Sequence, residues 1–354
     1  MKPLTLLLFF FGVFVPKASA QNNAAPPADS ARLPTIFQYL FQPEVLTVTL
    51  EFDFAQLMRG KEGNTLQPAK FRYVDKTGKS QEIAVEVKPK GYSRRKICDI
   101  PPIKVKFPPE FLAANNLQPL QTLEMVVFCK NEHGFEQYVL REYAAYRLYS
   151  ILTENSLRVQ LLKIKFKEVG AKQASAEGYA FFVEPEEELA QRLQGKLVES
   201  LRISPRGLEA RDFDVLSLFE FMIGNTDWYV DNRHNLFTLS IPGDTLLTAV
   251  PFDFDYSGFV HTPYALPAER LNIPNVTARY FLGLCRRPDD WIATLLLFKT
   301  KKAELLDFCQ QFSAFSKDSR KYTIQYLEGF FELLDNPKQV QERIVEHCGT
   351  AFIK

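Results

Sequence analysis

The sequence holds few titratable imidazoles and almost no net charge: four histidines in 354 residues, a formal charge of +1, and no block or stripe of basic residues. A chain of that kind offers nothing to a nucleic acid or an anionic membrane surface, and neither is expected as a partner. HExxH spacing, a GxSxG elbow, a GxxxxGK[ST] loop and a GxGxxG turn are all missing. Zinc-hydrolase, serine-hydrolase, P-loop and Rossmann readings lose their usual support with them. Five cysteines are present, Cys98, Cys129, Cys285, Cys309 and Cys348. Their long spacings exclude a CxxC metal knuckle and a disulfide-dense scaffold, and leave open one bridge, Cys98 to Cys129, or buried free thiols.

No apolar run is long enough to span a bilayer. The run from Leu4 to Val15 covers about 18 Å as a helix, against the ~30 Å of a hydrocarbon core. It follows the basic Lys2 and precedes Ala18-Ser19-Ala20, which is the layout of a secretory signal with cleavage after Ala20. The chain is therefore expected to be exported, to the periplasm, cell surface or medium, with no transmembrane anchor after cleavage. Oxidised cysteines suit that destination. The polar, Pro/Ala-rich stretch after it reads as a flexible leader over 21–37.

What is there is a well-packed globule's composition, 46% apolar and 13% aromatic. Val45 to Phe54 alternates strictly, as a half-buried strand does. Strand-like runs recur at Phe71–Val74, Ile83–Val87 and Ile103–Phe107, so the opening third reads as mainly antiparallel sheet. Gln137 to Leu152 carries apolar residues at three- and four-residue spacings and reads as a helix. Two strands follow, Val159–Phe166 and Tyr179–Glu184, the second entering an acidic helix start. Beyond about Gln191 come a helix from Asp212 to Ile223, a hairpin between Leu236 and Phe254, and mostly helix from Asp289 on. The expected fold is α+β and two-lobed: a sheet-rich N-lobe over 38–185 and a helix-rich C-lobe over 186–354.

The candidate chemistry lies between Gly224 and Gly258, where G-N-T-D-W-Y-V-D-N-R-H-N closes a helix and P-F-D-F-D-Y-S-G closes a strand. Ile241-Pro242-Gly243-Asp244 reads as the turn between two strands, so the hairpin brings Asp227, Asp231, His234 and Asn235 near Asp253 and Asp255. Two residues apart on a strand, Asp253 and Asp255 would share one face. Two carboxylates ~4 Å apart repel by about 4 kcal/mol at an effective dielectric near 20. A divalent, oxygen-seeking cation offsets that, and an Asn carbonyl with one or two Asp oxygens is the usual protein share of a magnesium shell completed by phosphate and water. Solvated turn residues are the plainer explanation of any one of them. His234 by itself reads as a structural hydrogen-bonding group.

These two motifs resemble the catalytic loop and metal-binding aspartate of atypical kinases, in particular the spore-coat CotH-type kinase family. Val87–Phe107 (VKPKGYSRRKICDIPPIKVKF) is similar to that family's Arg-Gly-x-Ser-x-Arg segment and lysine-bearing strand, and Tyr179–Glu184 to its hinge-entry strand. The resemblance covers roughly Glu82 to Gly258. It implies a two-lobed, atypical protein-kinase-like fold using ATP with Mg²⁺ or Mn²⁺. Asp227 would accept the acceptor's hydroxyl proton, Asn235 and Asp253 would hold the metal with Asp255 assisting, and Lys104 or Lys106, held by Glu142, would reach the phosphates beside Arg94. Trp228 stands where many kinases have Arg, eight residues separate Asp227 from Asn235, and Lys90-Gly91-Tyr92-Ser93 is the only candidate for a glycine-rich loop.

Three functions are compatible with this: a phosphotransferase acting on a protein or cell-envelope acceptor, a degenerate kinase-fold binding or assembly protein of the envelope, and a metal-dependent phosphoesterase using the same aspartates.

Overall fold

The computed structural model describes residues 32–59, 65–91, 93–200 and 202–348. The signal sequence over 1–20, and the leader up to residue 31, lie outside them. From Pro34 onward the chain forms one unit. The leader expected to reach residue 37 ends sooner, because Thr35 caps helix α1 (Ile36–Leu40) and Ile36, Phe37 and Leu40 are buried. Three apolar residues in one turn outweigh the polar stretch before them.

Seven strands close into a barrel in the order β1-β2-β3-β4-β5-β7-β6. They are β1 (Leu46–Phe52), β2 (Gln67–Val74), β3 (Ser80–Pro89), β4 (Ile103–Lys106), β5 (Thr122–Val126), β6 (Val159–Glu168) and β7 (Ala176–Val183). Alternation on β1 turns Leu46, Val48, Leu50 and Phe52 inward, all buried. Phe71 meets Phe107 at 5.4 Å and Phe182 at 6.1 Å, so aromatic rings fill the interior. Closure is made by a parallel pair, β1 against β6 with Val48 opposite Ile164, within a sheet that is otherwise antiparallel, as the sequence suggests for most of it. Alternation specifies which face is buried and says nothing of a strand's direction.

Between the strands run the short helices α2 (Phe54–Arg59), α3 (Ser93–Ile97) and α4 (Pro109–Ala114). The long α5 (Glu136–Leu152) packs against β7 on one side and the helical half on the other. Tyr146 shows why: its ring lies 5.6 Å from Phe181 of β7 and 4.7 Å from Phe254. After β7 come α6 (Glu186–Arg192), β8 (Lys196–Leu197), α7 (Ala210–Ile223), β9 (Leu236–Ser240), β10 (Thr248–Pro251), α8 (Pro288–Gln311) and α9 (Lys317–Leu334). The expected hairpin is β9 and β10, with Pro242 and Gly243 (φ 96°) at the turn positions that favour them. The architecture is α+β, sheet-rich first and helix-rich second. Among the described residues no helix is long and apolar enough to cross a membrane.

Two disulfides are formed, Cys98–Cys129 and Cys285–Cys348, and Cys309 is a buried free thiol. The second bridge was not foreseen, since its partners lie 63 residues apart.

Candidate active site

A cavity of about 810 Å³ lies where the barrel end, α5, the crossing segment after β7 and the β9–β10 hairpin meet. That is within the range of small-molecule sites. Arg94, Lys104, Glu142, Asp227, Asn235, Asp253 and Asp255 all line it, and Lys106 does not.

Asp227 sits past the end of α7, where Gly224 takes the left-handed conformation (φ 65°) and stops the helix. Its N–H donates to Asn225 Oδ1 at 3.0 Å. Its carboxylate meets His234 Nε2 at 3.0 Å and accepts from Asn235 Nδ2 at 3.3 Å, while that same amide nitrogen donates to the Asp227 carbonyl at 2.8 Å. The loop thus orients the carboxylate from two sides. The hydrogen bond to Asp227 also raises the His234 pKa above its ordinary value. With Asn235 Nδ2 engaged, its carbonyl oxygen is the amide atom offered elsewhere.

The strand expected to carry both later aspartates ends at Pro251. Asp253 adopts φ 63° and donates its N–H to Tyr146 Oη at 2.8 Å, so strand alternation does not relate it to Asp255. Asp253 remains half-exposed to the cavity. Asp255 is buried, accepts from Tyr264 Oη at 3.0 Å and lies 3.9 Å from Arg94. Burial, then the charge of Asp253, pushes its pKa well up.

Arg94 is the buried cation of the site. Its guanidinium approaches Glu142 at 3.4 Å and donates to the Val127 carbonyl at 2.7 Å. Burial works against its charge, and the electrostatic pull of Tyr264, Glu142, Asp255 and Asp253 more than offsets this. Burial in turn pushes Glu142 up to about 7, with Arg94 pulling the other way. The resemblance paired Glu142 with a strand lysine; the structure pairs it with Arg94. Lys104 stands directly opposite Glu124 on the neighbouring strand and bonds it at 2.9 Å, and Lys90 bonds the same carboxylate. Lys106, one pleat further, faces Glu86 at 3.1 Å. Burial lowers the Lys90 ammonium to about 8.

Among the described residues no three His, Cys, Asp or Glu side chains are grouped to hold a metal by themselves. Asp253 and the Asn235 carbonyl fit the smaller protein share taken by a cation that also binds phosphate. Glu142 Oε1 and Arg94 Nε are buried without a hydrogen-bond partner in the protein, as expected of a cavity built around a polar guest.

No protein-family model matches the chain, and no curated protein matches it. Among solved structures it is similar to a Helicobacter pylori proinflammatory kinase, CtkA, at 10% identity and a TM-score of 0.38, over 69% of this chain and 91% of that one. The functional reading rests on the cavity's own residues.

Lys90, Glu124 and Tyr146 escaped sequence reasoning. Glu124 lies on β5, whose alternation spans only five residues, and Tyr146 is not among the residues that carry the periodicity of α5. The motif Lys90-Gly91-Tyr92-Ser93 had drawn attention to the loop that carries Lys90.

Proposed function

We propose that the cavity binds a nucleoside triphosphate with a divalent cation, ATP and Mg²⁺ or Mn²⁺ in the reading the resemblance suggests, and that the chain is an exported kinase-like phosphotransferase. One observation carries this: three cationic side chains and the Asp227–Asn235–Asp253 set, drawn from distant segments, line one cavity. Phosphoryl transfer asks for that combination, phosphate charge neutralised and an acceptor hydroxyl aligned.

Asp227 accepts the proton of the acceptor hydroxyl, with His234 and Asn235 holding its carboxylate in orientation. The freed oxygen forms a bond to the terminal phosphorus, and the nucleoside diphosphate leaves with the electrons of the bond that breaks. A metal ion held by Asp253 and the Asn235 carbonyl would neutralise phosphate charge. Arg94 supplies a charge that cannot be titrated away, and Lys90 and Lys104 bring two positive charges against the single carboxylate of Glu124. Asp255, engaged by Tyr264 and Arg94, positions the arginine. The acceptor is a protein or cell-envelope hydroxyl.

One observation favours a degenerate binding protein: the strand lysine Lys104 is held by Glu124 and not by the α5 glutamate. Thermal shift separates these readings. Purified protein lacking residues 1–20 is titrated with ATP and GTP, each with Mg²⁺ or Mn²⁺, alongside Asp253→Ala. A ligand at 100 times its Kd adds about 2.7 kcal/mol of stability. A metal-dependent shift lost in Asp253→Ala is the expected result, and no shift with any nucleotide overturns the reading. A shift without phosphate transfer to envelope fractions moves the assignment to the binding protein.

A further inference from the structure

The arginine at the centre of the cavity stands on a very short support. Helix α3 has five residues, and an isolated helix of that length does not persist in water, because nucleation is costly and few hydrogen bonds repay it. Its closing bond is Cys98 N–H to the Arg94 carbonyl at 2.9 Å. Arg94 also bears the cost of leaving water, since it is 8% exposed and its Nε has no partner in the protein. Something outside α3 has to hold it there.

The tether is the residue that ends the helix. Cys98 is bonded to Cys129, just past β5. Around that bond the two segments are laced together: Asp99 N–H and Ile100 N–H both donate to the Cys129 carbonyl, at 2.8 and 3.3 Å, and Arg94 donates to Val127, two residues before Cys129. The bridge therefore joins the helix carrying Arg94 to the backbone that accepts from Arg94. The other bridge has no such relation: Arg286, the neighbour of Cys285, bonds Asp214, which does not line the cavity.

We propose that the Cys98–Cys129 disulfide is the positioning element of the phosphate site: it holds α3 so that Arg94 is set between Glu142 and Asp255, and polyphosphate binding requires the oxidised protein. This rests on the cavity being a nucleotide site. Reduction to two thiols, with two electrons and two protons taken from an external thiol or phosphine, leaves α3 held by its non-covalent contacts without the covalent tether. Arg94 then regains hydration by swinging out, and the cavity keeps its carboxylates without the cation that offsets them. A chain exported before oxidation would acquire a working site only outside the reducing cytoplasm. Both sulfur-bearing residues are buried, 1% and 4% exposed, which shields the bond once formed.

The test compares Cys98→Ala/Cys129→Ala with Cys285→Ala/Cys348→Ala. Each removes one bridge, so a merely stabilising role would weaken both proteins without separating them. Two readouts are taken: the Kd for ATP and GTP with Mg²⁺, by calorimetry, and amide hydrogen exchange over residues 93–100, which needs no ligand. The expected result is a Kd raised at least tenfold, with faster exchange over 93–100, in the Cys98/Cys129 variant alone, and the same change when the wild type is reduced with a phosphine. Equal Kd values in the two variants, with tight binding, overturn the proposal while leaving the nucleotide site standing. Should the oxidised wild type bind neither nucleotide, the nucleotide reading fails, and unchanged exchange over 93–100 in the Cys98/Cys129 variant overturns the tethering on its own.

Discussion

Replacing Glu188 by Gln should stabilise the protein at neutral and alkaline pH and leave it nearly unchanged in acid. Glu188 lies on α6, is 1% exposed, and accepts from the hydroxyl of Thr35, the residue that caps α1. Its other oxygen has no partner in the protein. Burial pushes this carboxyl from an ordinary 4.5 up to about 7, against the pull of the Thr35 hydroxyl. Between those values the folded chain holds a proton that the unfolded chain has released. The group's contribution is therefore fully present below pH 4.5 and is lost as pH rises through 7. The gap corresponds to a loss of up to about 3 kcal/mol. Glutamine cannot ionise, fills the same space and still offers Thr35 an acceptor. Urea unfolding of wild type and Glu188→Gln at pH 5 and pH 8 isolates the effect, since Glu142, which titrates in the same direction, is common to both proteins. The expected stability difference is small at pH 5 and grows to about 3 kcal/mol at pH 8. A difference that is constant with pH, or largest in acid, refutes the reasoning.

Gly258→Ala should destabilise by about 1–3 kcal/mol in denaturant unfolding, because the added Cβ would lie 2.8 Å from the Val276 carbonyl oxygen and 2.9 Å from Thr277 Cα, backbone atoms that cannot rotate aside. An unchanged midpoint would mean the segment past residue 275 yields freely. Loss of the Cys285–Cys348 bridge, which closes a separation of 63 residues, should cost about 4 kcal/mol by chain entropy, checked by comparing unfolding of the double alanine variant with that of the oxidised wild type.

Much of this protein is local in origin. The period of two in β1 and of three to four in α5, the Pro-Gly turn before β10, and the Gly stop before Asp227 each arise from neighbours in sequence, and each was legible there. So was the gathering of Asp227, Asn235, Asp253 and Asp255, because a hairpin joins its own ends. The partners of the cations were not. Arg94 reaches Glu142 across 48 residues, and Lys104 reaches Glu124 only because β5 pairs with β4 in that register. Nor could alternation announce that β1 and β6 run parallel, or that Asp253 leaves the strand with a positive φ to meet Tyr146. Short-range periodicity reports which face of an element is buried. Which charge neutralises which is decided only once the barrel has closed and burial has made every unpaired charge costly.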